Sequence, residues 1–163
     1  MKEISSLKLL GITLLSFEDA KRVPQDIRMP TEDGWWWLQS PGYYRHYAMY
    51  IREDGACHCY GTDVARTGLV RPALRASNLS SAGFKQLDKV EIFGHVWTVI
   101  TDDLLLCDNS IGQMAFHNDS DAPDANDYKK SDIKAYLDDW FANQLDLAER
   151  RVLRARVEAM WKD

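Results

Sequence analysis

The sequence predicts an α+β fold, with a small twisted antiparallel sheet, flanking helices and long loops. Short apolar runs between residues 35 and 107 are separated by turn residues, a spacing typical of antiparallel strands. A stripe of apolar residues at helical spacing follows near the C-terminus. The chain has 163 residues, of which 45% are hydrophobic, so it can form one domain with a substantial core.

The composition argues against several classes of protein. The net charge of -5 gives no electrostatic footprint for nucleic acid, and residues 150–156 supply only a local group of arginines. Three cysteines are too few, and an odd number, for a disulfide framework. No apolar run approaches the length of a membrane span. We therefore expect a cytoplasmic protein that contacts neither membrane nor nucleic acid.

The first half begins with a predicted buried strand at residues 7–15. It is not a signal peptide, because Lys8, Gly11 and Thr13 interrupt it and no small-residue cleavage site follows. Ser16 is a suitable N-cap for a short helix over residues 17–23, which ends before Pro24. Residues 25–34 are predicted to form a polar loop.

Four further strands are predicted in this half, forming an antiparallel meander. Turn signals separate them, including a hairpin at Asp54-Gly55. The predicted strands span residues 35–38, 47–51, 56–60 and 68–74, and the other turns lie at residues 40–42 and 61–63.

A Ser-rich connector, residues 77–85, is the candidate boundary between the two halves. The second half contains predicted strands at 90–93, 96–101 and 104–107. An acidic irregular segment, 117–127, precedes a helix capped by Ser131. Its inward stripe consists of Ile133, Leu137, Trp140, Phe141 and Gln144.

The predicted organisation is one domain over residues 1–144, with halves 1–76 and 84–144, followed by a C-terminal helix over 145–163. That helix would carry a narrow apolar stripe of Leu153, Val157, Met160 and Trp161. An apolar stripe exposed in a monomer indicates a possible homodimer through this helix.

The chain resembles a family of bacterial and phage domains of unknown function that carry the signatures WWLRSPG, A-x-x-V, DG and GVRPAL. The matching residues here are Trp36 to Gly42, Tyr47-Ala48, Asp54-Gly55, Val64 and Gly68 to Leu74. Phe93-Gly94 with Trp97, Val99 and Ile100, residues 104–106, and residues 131–141 are similar to its other elements. The resemblance covers roughly residues 10 to 142.

Such domains look like members of the C-type-lectin-like superfamily, so the resemblance implies that fold and a binding function on exposed loops without catalysis. Two departures are present. Gln39 replaces the family's Arg, and the F-G-x-x-W half follows the WWLRSPG half instead of preceding it. The second departure predicts a circular permutation with the Ser-rich connector as the join.

The preferred binding loop is the segment directly after the Pro41-Gly42 turn. It contains Tyr43, Tyr44, Arg45, His46 and Tyr47. Tyrosine and arginine are enriched in interfaces, where they give a large contact area at low entropic cost. The residues expected to contact a partner are Trp35, Tyr43, Tyr44, Arg45, His46, Tyr60 and Arg66.

Two features have both a binding and a structural interpretation. The Trp35-Trp36-Trp37 run could stack on ligands, but alternation along a strand favours core packing, with Trp35 the most exposed of the three. Arg71 could grip a carboxylate or phosphate. Its position between Val70 and Ala73 favours a buried arginine satisfied by backbone carbonyls or one carboxylate.

Metal binding and catalysis are not expected. Cys57-His58-Cys59 supplies two sulfur ligands on one strand face. Cys107 and one of His46, His95 or His117 could complete a tetrahedral site, but nothing in the spacing demands it. Asp119, Asp121, Asp124 and Asp127 depart from the calcium-loop pattern and are best explained by a solvated loop. The common nucleotide-binding, metalloprotease and hydrolase motifs are missing, so no enzyme activity and no cofactor are expected.

The sequence therefore predicts a non-catalytic module that binds a protein partner from phage or host. The resemblance indicates a phage association, and inhibition of a host defence protein is one use consistent with it. The alternative is a domain that binds a small ligand, a sugar or a nucleotide, through exposed aromatic residues.

Overall fold

The computed structural model describes residues 7–161, with side chains over residues 7–151. Within this part of the chain it has ten strands, three α-helices and a 3₁₀ turn. In chain order these are β1 (Leu9–Thr13), α1 (Phe17–Lys21), α2 (Gln25–Arg28), β2 (Trp36–Pro41), β3 (Tyr47–Ile51), β4 (Cys57–Asp63), β5 (Thr67–Val70), β6 (Ala73–Ala76), β7 (Lys89–Ile92), β8 (His95–Thr101), β9 (Leu104–Cys107), β10 (Gly112–Ala115), the 3₁₀ turn (Tyr128–Lys130) and α3 (Asp132–Trp161).

The strands form two five-stranded sheets, which confirms the α+β class but replaces the one small sheet that the sequence predicts. Sheet 1 has the order β1-β6-β9-β8-β7, and sheet 2 has the order β10-β5-β2-β3-β4. The predicted meander is correct for β2, β3 and β4, which pair antiparallel. It is wrong for β5, which lies parallel to β2.

The chain passes from sheet 2 to sheet 1 at Arg71-Pro72, so the single strand predicted at residues 68–74 is two strands. Proline has no backbone N–H and cannot continue a ladder on both sides. β5 therefore ends at Val70, and β6 begins at Ala73 beside β1 and β9.

Side chains alternate across each strand, and this alternation builds three core clusters. Trp36 and Leu38 of sheet 2 meet Ala73 and Leu106 of sheet 1 in the cluster between the sheets. The outer face of sheet 1 packs against Trp140 and Phe141 of α3. The outer face of sheet 2 carries Trp37 and Ala48, and it packs against Phe116, Ala125, Ile133 and Leu137.

The helix predicted after the Ser131 cap is α3, which begins at Asp132 and continues without a break to Trp161. Ile133 and Leu137 cover sheet 2, and Trp140 and Phe141 cover sheet 1, so one helix joins the outer faces of both sheets. The predicted stripe of Leu153, Val157, Met160 and Trp161 lies outside the described side chains. No helix in residues 7–161 combines the length and apolarity needed to cross a membrane.

Several boundaries differ from those predicted. The polar loop over 25–34 contains α2, and the turn at 61–63 is the end of β4. The sequence does not predict β10, because its residues, Gly-Gln-Met-Ala, have weak strand propensity. The predicted N-cap is correct, since the Ser16 hydroxyl accepts a hydrogen bond from the Asp19 N–H at 3.1 Å.

The Ser-rich connector links β6 and β7, two strands of the same sheet. Leu79 and Phe84 within it are buried in the cluster on the outer face of sheet 1. Sheet 1 takes β1 and β6 from the first half and β7, β8 and β9 from the second, while sheet 2 takes β10 from the second half. The two halves are therefore interleaved around shared sheets.

Candidate functional site

The loop between β2 and β3 is tied to the start of β3 and to β4 by backbone hydrogen bonds. The Gly42 N–H donates to the Tyr47 carbonyl at 2.8 Å, and the Tyr43 N–H donates to the Tyr60 carbonyl at 2.8 Å. A Cβ atom at Gly42 would lie 2.6 Å from the Tyr60 carbonyl oxygen, so the close approach requires glycine. The loop is thereby held against the edge of sheet 2.

A distant asparagine fixes the rest of this loop. The Tyr47 N–H donates to the Tyr44 carbonyl at 2.9 Å and closes a turn. The Asn126 side-chain amide then donates to the carbonyls of Tyr44, at 3.1 Å, and Tyr47, at 3.0 Å. One side chain therefore satisfies both ends of the turn, and the conformation is set before any partner arrives.

The rings carried by this loop and by β4 form one surface cluster, here called the tyrosine patch. Tyr43 and Tyr60 stack with centroids 4.9 Å apart and an interplanar angle of 6°. Tyr44 meets Tyr43 edge-on at 5.0 Å and stacks on His46 at 5.6 Å. The members of the patch are Tyr43, Tyr44, His46, Tyr47 and Tyr60.

The patch is exposed although its rings pack on each other. Tyr43 is 71% exposed, and Tyr44 and Tyr60 are each 44% exposed. A hydrogen bond with Tyr44 raises the pKa of the Tyr60 hydroxyl above its ordinary value, which already lies well above neutral pH, so the hydroxyl is neutral and can donate. The patch thus offers aromatic area and neutral hydroxyls together.

The structure divides the predicted site residues into two groups. Tyr43, Tyr44, His46 and Tyr60 belong to the tyrosine patch, and Arg45 is exposed on the same loop. Trp35 and Arg66 lie together elsewhere, with the Arg66 guanidinium 5.4 Å from the centroid of the Trp35 ring.

Trp35 is half-buried and packs mainly against its own sheet. Its ring contacts Trp37 at 4.7 Å and Tyr50 at 5.0 Å, both edge-on. It also lies over Gly68, where a Cβ atom would come within 2.4 Å of the ring. Trp35 is the most exposed of the three tryptophans, as expected from the sequence, because Trp36 and Trp37 are fully buried.

A shallow depression lies beside Trp35. It has a volume of about 360 Å³ and is lined by Trp35, Tyr50, Arg52, Glu53 and Asp54. His58 stacks on Tyr50 with ring centroids 4.8 Å apart. Sequence patterns do not predict that Tyr50 lies between Trp35 and His58, because the bulge between β3 and β4 sets the register of Tyr50 and His58.

Arg71 is a buried structural residue, which confirms the structural interpretation of its sequence context. The side chain is 2% exposed and donates to the carbonyls of Cys107 at 2.6 Å, Arg28 at 3.0 Å and Ile27 at 2.7 Å. Its guanidinium lies 4.9 Å from the Trp36 ring centroid. Burial lowers the pKa of Arg71 to about 10, so the group stays charged at neutral pH. Arg71 joins the two sheets and α2.

Cys57 and Cys107 have structural surroundings, whereas Cys59 is exposed. The Cys57 sulfur accepts a hydrogen bond from the Arg28 guanidinium at 3.3 Å, and burial raises the pKa of its thiol. Burial also raises the pKa of the Cys107 thiol to about 11. Among the described residues, no three histidine, cysteine or acidic side chains are grouped so that they could hold a metal ion.

The acidic segment is organised by local turns. Asp124 pairs with Lys130 at 3.0 Å, and the Asp127 carboxylate accepts from the Lys129 N–H at 3.1 Å. Asp119 accepts from the Asp121 N–H at 3.0 Å. These carboxylates shape the segment that presents Asn126 to the tyrosine loop. No sequence signal marks Asn126, because its partners are 79 and 82 residues away.

We compared the chain with protein-family models, with curated proteins and with solved structures, and nothing matches in any of the three comparisons.

Proposed function

We propose that the protein is a non-catalytic binding module whose tyrosine patch docks onto a protein partner. The observation that carries the proposal is an exposed cluster of aromatic rings on a loop that is already held in one conformation. Tyrosine gives large, rigid contact area with a hydroxyl that can hydrogen-bond, and it is enriched at the energetic centres of interfaces.

Preorganisation supports this proposal. A loop that is ordered only on binding loses conformational entropy, which weakens the complex. Here Gly42, Tyr43, Tyr47 and the Asn126 amide already make the hydrogen bonds that define the loop. Tyr43 is stacked on Tyr60 yet 71% exposed, so a partner can cover it without reordering the backbone. We expect a convex contact of the kind made with a protein surface.

The resemblance to the WWLRSPG domains supports the finer parts of the proposal. These finer parts are a C-type-lectin-like arrangement with binding on exposed loops, a phage association, and inhibition of a host defence protein. The loop that begins at Tyr43 follows the matching Trp36 to Gly42 segment directly, and Tyr43 and Tyr44 on it are exposed.

A second candidate function is the binding of a small ligand in the depression beside Trp35. The combination of Trp35 and Tyr50 with Arg52, Glu53 and Asp54 favours it, because ligand sites combine apolar walls with a few polar groups. Its volume of about 360 Å³ is at the lower end of the range for such sites.

The test is quantitative affinity capture from a bacterial lysate with the full chain as bait. The variant is Tyr43→Ser with Tyr60→Ser, and the matched control is Tyr136→Ser, a tyrosine of α3 that is 37% exposed. We expect the same enriched proteins with the natural chain and the control. We expect at least a tenfold loss of those proteins with the patch variant, because interface centres contribute about 2 kcal/mol or more.

Equal recovery by the patch variant and the natural chain would show that the patch is not the binding surface. In that case the protein is titrated with sugars and nucleotides while its tryptophan fluorescence is measured, which tests for ligand binding in the depression. Trp35 is the tryptophan that lines the depression, so a Trp35→Phe variant should lose any ligand-dependent change in emission.

A further inference from the structure

A second surface lies beside the tyrosine patch, in a cleft where the two sheets meet the start of α3. Its volume is about 590 Å³. It is lined by Thr13, Gln39, Pro41, Arg75, Asn126, Asp127, Tyr128, Lys129 and Lys134. Six segments of the chain contribute: β1, β2, β6, the acidic segment, the 3₁₀ turn and α3.

The floor of the cleft is a closed hydrogen-bond network. The Gln39 amide donates to the Leu14 carbonyl at 2.8 Å and to the Thr13 hydroxyl at 3.2 Å. The Leu14 N–H donates to the Tyr128 hydroxyl at 3.2 Å, and burial raises the pKa of Tyr128, which keeps it neutral. The floor is therefore rigid and uncharged.

The walls carry three cations and one carboxylate. Arg75 and Lys129 are exposed, and within the described residues neither has an ion-pair partner. Lys134 pairs with Asp138 on α3, and that hydrogen bond raises the pKa of Lys134. The Asp127 carboxylate accepts from the Lys129 N–H at 3.1 Å, and this keeps it turned into its own loop. In a chain of net charge -5, two unpaired cations at one cleft are a local reversal of charge.

The cleft and the tyrosine patch form one continuous surface. Pro41 lines the cleft, and Gly42 and Tyr43 follow it directly in the chain. Asn126 lines the cleft and also holds the carbonyls of Tyr44 and Tyr47. A partner seated on the patch would therefore lie next to the cleft.

We infer that the cleft receives an acidic segment of the protein partner, with Arg75 and Lys129 pairing with its carboxylates. The inference rests on the proposed function of the tyrosine patch and names the chemistry of the partner. The unpaired cations stand on two separate elements, β6 and the 3₁₀ turn, which suits an extended segment with spaced charges.

The test uses the full chain and a fluorescein-labelled peptide of eight glutamates, followed by fluorescence anisotropy at low and high salt. We expect binding that weakens with salt, because exposed ion pairs are screened. Arg75→Gln with Lys129→Gln should weaken it about fivefold, which corresponds to two exposed pairs of ordinary strength. The matched control is Lys8→Gln with Lys85→Gln, two exposed cations away from the cleft that change the net charge equally.

Three outcomes would overturn the inference: no binding of the octaglutamate at low salt, equal weakening by both variant pairs, or tighter binding of a labelled eight-nucleotide DNA strand. The lysate capture separates this inference from the proposed function. If the Tyr43→Ser, Tyr60→Ser variant loses the captured partners and the Arg75→Gln, Lys129→Gln variant keeps them, the patch is the binding site and the inference of an acidic segment is wrong. If both variants keep the captured partners, the patch is not the binding site.

Discussion

Sheet 2 contains two aromatic segments only a few residues apart, and they have opposite surroundings. The tryptophan run of Trp36 and Trp37 is fully buried, and each indole N–H donates to a backbone carbonyl, Arg28 at 2.9 Å and Met114 at 3.0 Å. The tyrosine patch has its rings packed on each other, with Tyr43, Tyr44 and Tyr60 exposed.

The hydrogen-bond partner of an aromatic side chain indicates whether it belongs to the core or to a binding surface. A buried indole whose N–H is already bonded to the backbone contributes to stability and has no polar group left for a partner. An exposed tyrosine supported by neighbouring rings keeps its outer face and its hydroxyl available. Aromatic content alone does not distinguish a core residue from a binding residue. The hydrogen-bond partner of the indole N–H or the tyrosine hydroxyl does.

The largest expected effect is the loss of stability in Trp36→Ala. The ring fills the cluster between the sheets, donates to the Arg28 carbonyl and lies 4.9 Å from the Arg71 guanidinium. Removing it leaves a cavity, while the Arg28 carbonyl keeps its hydrogen bond from Arg71, so the free energy of unfolding should fall by about 3–5 kcal/mol. Urea unfolding followed by circular dichroism measures it. Trp36→Phe, which keeps most of the volume, should cost clearly less, and equal losses would mean that the indole does not fill the core.

Regular patterns in the sequence predict the parts of the fold that depend on local chemistry. Ser16 as a cap, the Asp54-Gly55 turn and the stripe of α3 are all readable from residues close together in the chain. The second sheet, by contrast, depends on the chain crossing at Arg71-Pro72 and on the parallel pairing of β5 with β2. The alternation of apolar and polar residues predicts which face of a strand is buried. It does not predict which other strand lies beside it.

The candidate site follows the same division. Tyr43, Tyr44 and His46 are adjacent in the chain and are predicted together, and they are found together. Trp35 is grouped with them by composition alone, and the structure places it with Arg66 and Tyr50. Asn126 comes from the acidic segment, whose position is set by packing of α3 on sheet 2, and no local pattern contains that information.

An intermediate effect is expected from Asn126→Ala. The variant removes two hydrogen bonds to the Tyr44 and Tyr47 carbonyls, at a cost of about 1–2 kcal/mol in stability, since neutral hydrogen bonds contribute about 1 kcal/mol each. Amide hydrogen exchange at Tyr47, whose N–H closes the turn, should become faster while exchange in sheet 1 stays unchanged. Asn143→Ala on the exposed side of α3 is the control. Unchanged exchange at Tyr47 would mean that Asn126 does not order the loop.

The smallest effect on stability is expected from Tyr43→Ala, the same kind of truncation as Trp36→Ala at the other aromatic segment. Tyr43 is 71% exposed, and truncating it removes mainly the stacked contact with Tyr60. The free energy of unfolding should therefore fall by about 0.5–1 kcal/mol. A double-mutant cycle with Tyr60→Ala measures that contact directly, because the coupling energy isolates the pair. A loss of more than about 2 kcal/mol would place Tyr43 with the tryptophans as a structural residue. A small loss of stability together with a large loss of captured partner is the combination that a binding surface requires.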